Sequence, residues 1–248
     1  MGGFTYLSMK RYSELNAEEI LSTLFRLEIR IKERFPHSGL LKVCNEFTVI
    51  AKELELLAHH LKRPIWWVRI STWLCVVSLL IVLVFGVRTV YHSLHVDQTG
   101  VLRQLTLSDI FQVTEAAIND LIFFSLAGYF LVTAEGRIKR RRTLKALHQL
   151  RSLAHVIDMH QLTKDPVIIT KNLPTDSSPV RIMSPFELSR YLDYCSELLS
   201  IINKIGALFS QNLLDEVVHH HVNDLSELTQ GLSAKIWQKI MIMEREIN

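Results

Sequence analysis

The hydrophobic positions of this chain fall into three successive patterns. In residues 16–61 they recur at helical spacing. Ile20, Leu21, Leu24, Phe25, Leu27 and Ile31 form one stripe, and Leu40, Val43, Phe47, Ile50, Leu54, Leu57 and Leu61 form a second, in steps of mainly three and four. Asn16 and Ser38 stand where N-caps belong. Glu19 is placed for a capping box, and Leu15 with Ile20 for a hydrophobic staple. Phe35-Pro36 divides the two predicted helices.

The second pattern is an apolar run without periodicity. Ser71 to Val87 carries no charge over seventeen residues and is bounded by Arg69 and Arg88. With Trp66, Trp67 and Tyr91 it reaches about twenty-five residues, against the roughly 20 that a bilayer core requires. Leu121 to Ala134 is a shorter run of fourteen, which reaches spanning length only by including Ala116 to Asp120. The alternative for this segment is a re-entrant or interfacial helix. Charge favours a full span. Arg137, Lys139, Arg140, Arg141 and Arg142 follow it, and Lys62, Arg63 and Arg69 flank the start of the first span. Only Arg88 and Arg103 lie in the connection. By the positive-inside rule both termini are cytoplasmic and the loop from about 92 to 112 is outside.

The third pattern is helical again. Leu147, Leu150, Ala154 and Ile157 give residues 137–162 an apolar face. Pro166, Pro174, Pro179 and Pro185 then interrupt the chain. Residues 167–170 and 180–182 are either a small strand pair or an extended loop. Ser184-Pro185-Phe186-Glu187 is a helix start with cap, first-turn Pro and capping-box Glu. The helix after it bears two stripes: Leu188, Leu192, Cys195, Leu199, Ile202, Gly206, Phe209, and Tyr191, Tyr194, Leu198, Ile201, Ile205, Leu208. Two stripes imply burial by several neighbours or by another subunit. A last helix, from about Leu213 to Ile247, carries Val218, Val222, Leu225, Leu228, Leu232, Ile236, Ile240 and Met243. The predicted fold is therefore all-α: a two-helix transmembrane hairpin, with a cytosolic helical bundle formed by N- and C-terminal segments. Its parts are N-terminal cytosolic helices (1–63), the hairpin (64–136, spans about 66–90 and 114–134), and a C-terminal cytosolic helical domain (137–248) with a Pro-rich loop at 163–185.

Composition narrows the function. Lys plus Arg exceed Asp plus Glu by 28 − 25 = 3, which excludes a strongly basic nucleic-acid binder. The 9 Gly and 6 Pro are too few for a turn-rich β protein. Cys44, Cys75 and Cys195 form no CxxC pair, so neither a disulfide framework nor a zinc ribbon is expected. No signal peptide is expected: MGGFTYLSMKRYSEL has no apolar core. Myristoylation fails at Tyr6, and no Asn-x-Ser/Thr sequon occurs. Short loops and absent sequons suit a bacterial inner membrane.

Four groups of residues could carry chemistry. His148, Arg151, His155 and Asp158 are spaced three, four, three on one helical face. His with Asp can serve as a base and Arg can hold a phosphate; the alternative is a solvated face or a polar seam between helices. His219-His220-His221 resembles a metal site, but adjacent helical residues point about 100° apart. Only Asp215 with His219, and Glu216 with His220, could pair, so no metal site is expected, and no cofactor. Glu115 and Asp120, with Gln112 and Asn119, put polar groups at the outer part of the second span. Such groups are costly in lipid and face protein or water; the alternative places them in the headgroup zone. Self-association with the second span inward would hide them and create a polar pore or vestibule. Arg137, Lys139, Arg140, Arg141 and Arg142 lie just inside the membrane and suit anionic headgroups better than RNA.

Two resemblances bear on function. Arg142 and His148 match the Arg-x(4–6)-His spacing of HEPN ribonucleases, which implies a membrane-tethered RNA-cleaving bundle. The order of short cytosolic helices, two spans and a helical tail resembles the two-transmembrane SLATT-type effectors of bacterial conflict systems, which implies membrane perturbation when a partner senses infection. That likeness is of architecture and transfers no residue. The sequence thus points to an integral membrane protein in the lipid bilayer, a homo-oligomer that forms or gates a pore or acts as a membrane effector, with no enzyme signature. A non-conducting signalling scaffold with a cytosolic protein partner is the alternative, and the ribonuclease a second.

Overall fold

The computed structural model describes residues 14–95, 107–164 and 183–247. They form six helices and no strand: α1 (Ala17–Arg34), α2 (Gly39–Leu61), α3 (Trp66–His95), α4 (Leu107–Leu162), α5 (Pro185–Asn212) and α6 (Glu216–Ile247). The chain divides into two compact units. One takes Met1–Arg63 with Lys139–Asn248; the other is Pro64–Ile138. α4 passes from one to the other without a break in its helix. The strand pair predicted at 167–170 and 180–182 lies outside the described residues.

In the first unit every helix hides an apolar face in one shared core. Leu24 of α1, Phe47 of α2, Ile157 of α4, Phe209 of α5 and Ile236 of α6 are all completely buried. Burial of each such side chain stabilises by about 1.5–3 kcal/mol, an upper figure because the unfolded chain already hides some of it. Both predicted stripes of α5 are buried, from Leu188 to Phe209, which makes α5 the centre of the packing. Its hydrophobic faces are covered within this chain. Gly206 permits a close approach of α5 to its neighbours. A Cβ there would lie 2.9 Å from Leu225 Cδ2 of α6 and 3.9 Å from Leu147 Cδ2 of α4.

Polar contacts set the directions of the helices. Arg30 pairs with Glu197, and the Leu15 N–H donates to Gln211 Oε1 at 2.9 Å, so α1 runs antiparallel to α5. α4 runs parallel to α6. Arg140 meets Asp215 at 2.7 Å, Arg151 meets Asp224 at 3.5 Å, and Lys239 donates to Gln161 Oε1 at 2.7 Å, in rising order on both helices. Asn212 Nδ2 donates to the Ala58 carbonyl at 3.0 Å and ties the end of α5 to that of α2.

Local signals account for most helix ends. Ser38 accepts from Leu41 N–H, and Ser184 and Glu187 make the full capping box. Asn16 caps α1 but accepts from Glu18, one residue before the position the capping-box pattern predicts. α6 begins at Glu216 rather than Leu213, because Asp215 Oδ1 accepts from the N–H groups of Val217 and Val218, at 3.1 and 3.3 Å. Phe25 of the predicted α1 stripe is 37% exposed and lies under the Lys52 ammonium, 4.9 Å from the ring centroid. Cys44, Thr48, Ala51 and Ala58 widen the buried face of α2 beyond the predicted stripe.

The second unit is built differently. α3 has 30 residues and α4 has 56, and both are long and apolar enough to cross a membrane. No part of their most apolar windows is buried within the chain. Trp66, Trp67, Trp73, Leu80 and Phe85 of α3 are all more than half exposed, as are Phe123, Leu126 and Phe130 of α4.

Candidate functional site

Polar residues stand at the start of the exposed apolar stretch of α4. Glu115, Asn119 and Asp120 are all exposed on α4. Glu115 and Asn119 are four residues apart and share a face; Asp120 is turned about 100° from Asn119. The side chain of Gln112, the fourth member predicted for this face, lies outside the described side chains. The pattern reading missed Glu135. Its carboxylate accepts from the Ile65 N–H at 3.2 Å and stands 3.8 Å from Arg69, so it joins the N-terminus of α3 to α4. The available signal was a single acid one turn before the basic run.

The five basic residues after Gly136 divide by role. Arg137 donates to Thr133 Oγ1 at 2.9 Å and lies over the Phe130 ring at 4.9 Å. Lys139 is engaged within the chain. Arg140 holds Asp215. Arg141 and Arg142 are exposed, as is Arg63 at the end of the first unit's N-terminal segment.

The His148, Arg151, His155 and Asp158 face does not act as one group. His148 is exposed, with its ring 6.2 Å from that of His221. Arg151 pairs with Asp224, and His220 and His221 each stand 3.8 Å from the same carboxylate. His155 is exposed. Asp158 accepts from Gln161, which Lys239 holds in turn. The face therefore flanks α6, and its charges are spent on a polar seam along the α4–α6 contact. Arg142 and His148 lie six residues apart on one unbroken helix, so their side chains diverge by about 120°.

The histidine run is split two ways. His219 Nδ1 meets Ser210 Oγ, while His220 and His221 turn to Asp224. Asp215 is committed to the α6 cap and to Arg140 while His219 meets Ser210, and His220 stands by Asp224, so the two i,i+4 pairs that the spacing allows are not the contacts these histidines make. Among the described residues no group of three His, Cys, Asp or Glu could hold a metal ion. The Cys44 and Cys195 thiols are both pushed up to about 12, by burial in each case; beside Cys44 the Glu28 charge adds to it. Neutral buried thiols are poor nucleophiles. A groove of about 760 Å³ opens between α1 and α5; of the charged groups that line it, Glu197 is held by Arg30, Glu14 by Lys62, and Lys204 donates to Ser200. No protein-family model matches this sequence, and comparisons with curated proteins and with solved structures give no match either.

Proposed function

We propose that this chain is a two-span integral membrane protein whose copies associate through the second span, forming or gating a polar pathway across the bilayer. Both ends then lie on the cytoplasmic side, where the packed first unit receives the signal that the membrane unit acts on. One observation supports the reading above all: α4 displays Glu115, Asn119 and Asp120, all exposed, at the start of its exposed apolar stretch. Charged side chains at membrane depth cost several kcal/mol unless protein or water receives them. A second copy offers the same polar face to the first, whereas α3, apart from Ser78, has apolar groups to offer lipid along Trp73 to Phe85. Such an assembly suits a bacterial inner-membrane effector, the role that the architectural resemblance to SLATT-type proteins implies.

The test is ion flux through proteoliposomes containing the full chain. Flux is expected, and Glu115→Gln with Asp120→Asn should alter its magnitude or its cation preference while the protein still inserts. Permeability that is the same with and without both carboxylates would exclude a pore lined by them. The non-conducting scaffold would then be favoured.

A further inference from the structure

The short turn between α5 and α6 carries the most exposed large hydrophobic residue described in the chain. Leu214 is 91% exposed, and Val217, three residues on, is 40% exposed. Leu213 beside them packs against the core, and Asp215 is held by the α6 cap and by Arg140. The tip is therefore a firmly held loop that points an apolar side chain outward.

Its position in the first unit gives that exposure a meaning. Arg140 lies one residue beyond Lys139, where α4 joins this unit, and it grips the turn. Asn212 binds the Ala58 carbonyl, five residues before Arg63, where the N-terminal segment leaves the unit. The turn thus sits at the one end of the first unit that both apolar helices adjoin in sequence. Cations follow both of these anchors in sequence. Lys62, Arg63, Arg141 and Arg142 are exposed at this end together with Arg140. The acids at this end are Glu14, Glu18, Glu55, Asp215 and Glu216; Glu14 is paired with Lys62 and Asp215 with Arg140, which leaves Arg63, Arg141 and Arg142 as the exposed cations beside the turn. An apolar tip beside exposed Lys and Arg is the combination that seats a surface element at the boundary of headgroups and acyl chains.

We infer that the α5–α6 turn is a membrane-seated tip: Leu214 and Val217 enter the cytoplasmic leaflet while Arg63, Arg141 and Arg142 bind anionic lipid headgroups around them. The inference rests on the membrane reading above. It makes the first unit a lipid-contacting body in its own right, whose α5–α6 hairpin senses leaflet charge.

Site-specific quenching tests both readings separately. In the full chain with Cys75→Ser, Leu214→Cys or Val217→Cys is labelled with an environment-sensitive fluorophore, since Cys44 and Cys195 are buried. Trp66→Cys, at the start of α3, is the reference. The proteins are placed in vesicles of phosphatidylglycerol and phosphatidylcholine containing shallow doxyl-labelled lipid. Labels at 214 and 217 are expected to lose most of their fluorescence, as the label at 66 does. Replacing phosphatidylglycerol with phosphatidylcholine, or introducing Arg141→Glu with Arg142→Glu, should restore the signal at 214 and leave that at 66 quenched. A label at 66 that is quenched beside unquenched labels at 214 and 217 overturns the seated tip and spares the spans. Quenching at none of the three overturns both. Quenching at 214 that ignores leaflet charge overturns the headgroup role of the arginines.

Discussion

Leu192 and Leu80 are the same residue on two helices of one chain, and they live in opposite surroundings. Leu192 is completely buried in α5, whereas Leu80 on α3 is 55% exposed. The difference holds along both helices. α5 presents its apolar stripes to partners from its own chain, and α3 presents its apolar residues outward on every side described. A soluble helix gains stability by removing one face from water. A helix that shows apolar residues on every side has the length and composition to cross a membrane, and under the function proposed above lipid is its solvent. The same residue type is thus a core contact in one unit and a solvent contact in the other.

The largest expected effect sharpens that contrast. Leu192→Ala should lower the unfolding free energy of the full chain by about 2–5 kcal/mol, through lost transfer energy and the cavity left behind. Leu80→Ala should change it by less than about 0.5 kcal/mol, as an exposed substitution does. Denaturant unfolding followed by circular dichroism in nanodiscs reads both. Equal losses would break the comparison, because α3 would then be packed against protein rather than lipid.

Cysteine chemistry sharpens it from another side. Cys44 and Cys195, with thiols raised from 9.0 to about 12, should carry about a thousandfold less thiolate near neutral pH than an ordinary cysteine. Maleimide followed by mass spectrometry should therefore leave both unmodified in the folded protein and modify both after denaturation. Rapid labelling of either one in the native state would mean that the first unit opens far more readily than its packing implies.

These contrasts were legible in the sequence to an uneven degree. The stripes of α1, α2, α5 and α6, the caps at Ser38 and Ser184, and the two apolar helices follow from period and turn chemistry within about twenty residues. Contacts between distant segments left no such mark. Arg151 and Asp224, or Gln161 and Lys239, are brought together only when α4 settles parallel to α6, and no local spacing specifies that register. The histidine run shows why a spacing rule fails. Asp215 and His219 are correctly placed for each other, but a charged cap on two N–H groups and a guanidinium pair outcompete an imidazole for the same carboxylate. Asp215 also ends the apolar period that made the last helix read from Leu213. At the polar face of α4 the sequence supplied the residues, while their use depends on what covers Glu115, Asn119 and Asp120.

The smallest effect concerns the helix start with the full capping box, at Ser184. Glu187 accepts from the Ser184 N–H at 2.8 Å and from its hydroxyl at 2.9 Å, and the Ser184 backbone and side-chain bonds hold its carboxyl below the usual 4.5. A carboxyl depressed in the folded state stabilises it above the unfolded pKa, and that contribution fades as pH falls through the folded value. Glu187→Ala should therefore weaken the protein slightly at neutral pH. The gap between variant and parent should narrow on acidification below about 4.5 and close once Glu187 is protonated in both states, as read by unfolding midpoints along a pH series. Glu187→Gln keeps an acceptor but not the charge, and should fall between the two at neutral pH. A gap that is constant with pH would assign the loss to helix propensity at the third position of α5 and not to the charged cap. The contrast with α3 would stand even so, because α5 is held by the stripes it buries, and its capping box only sets where it starts.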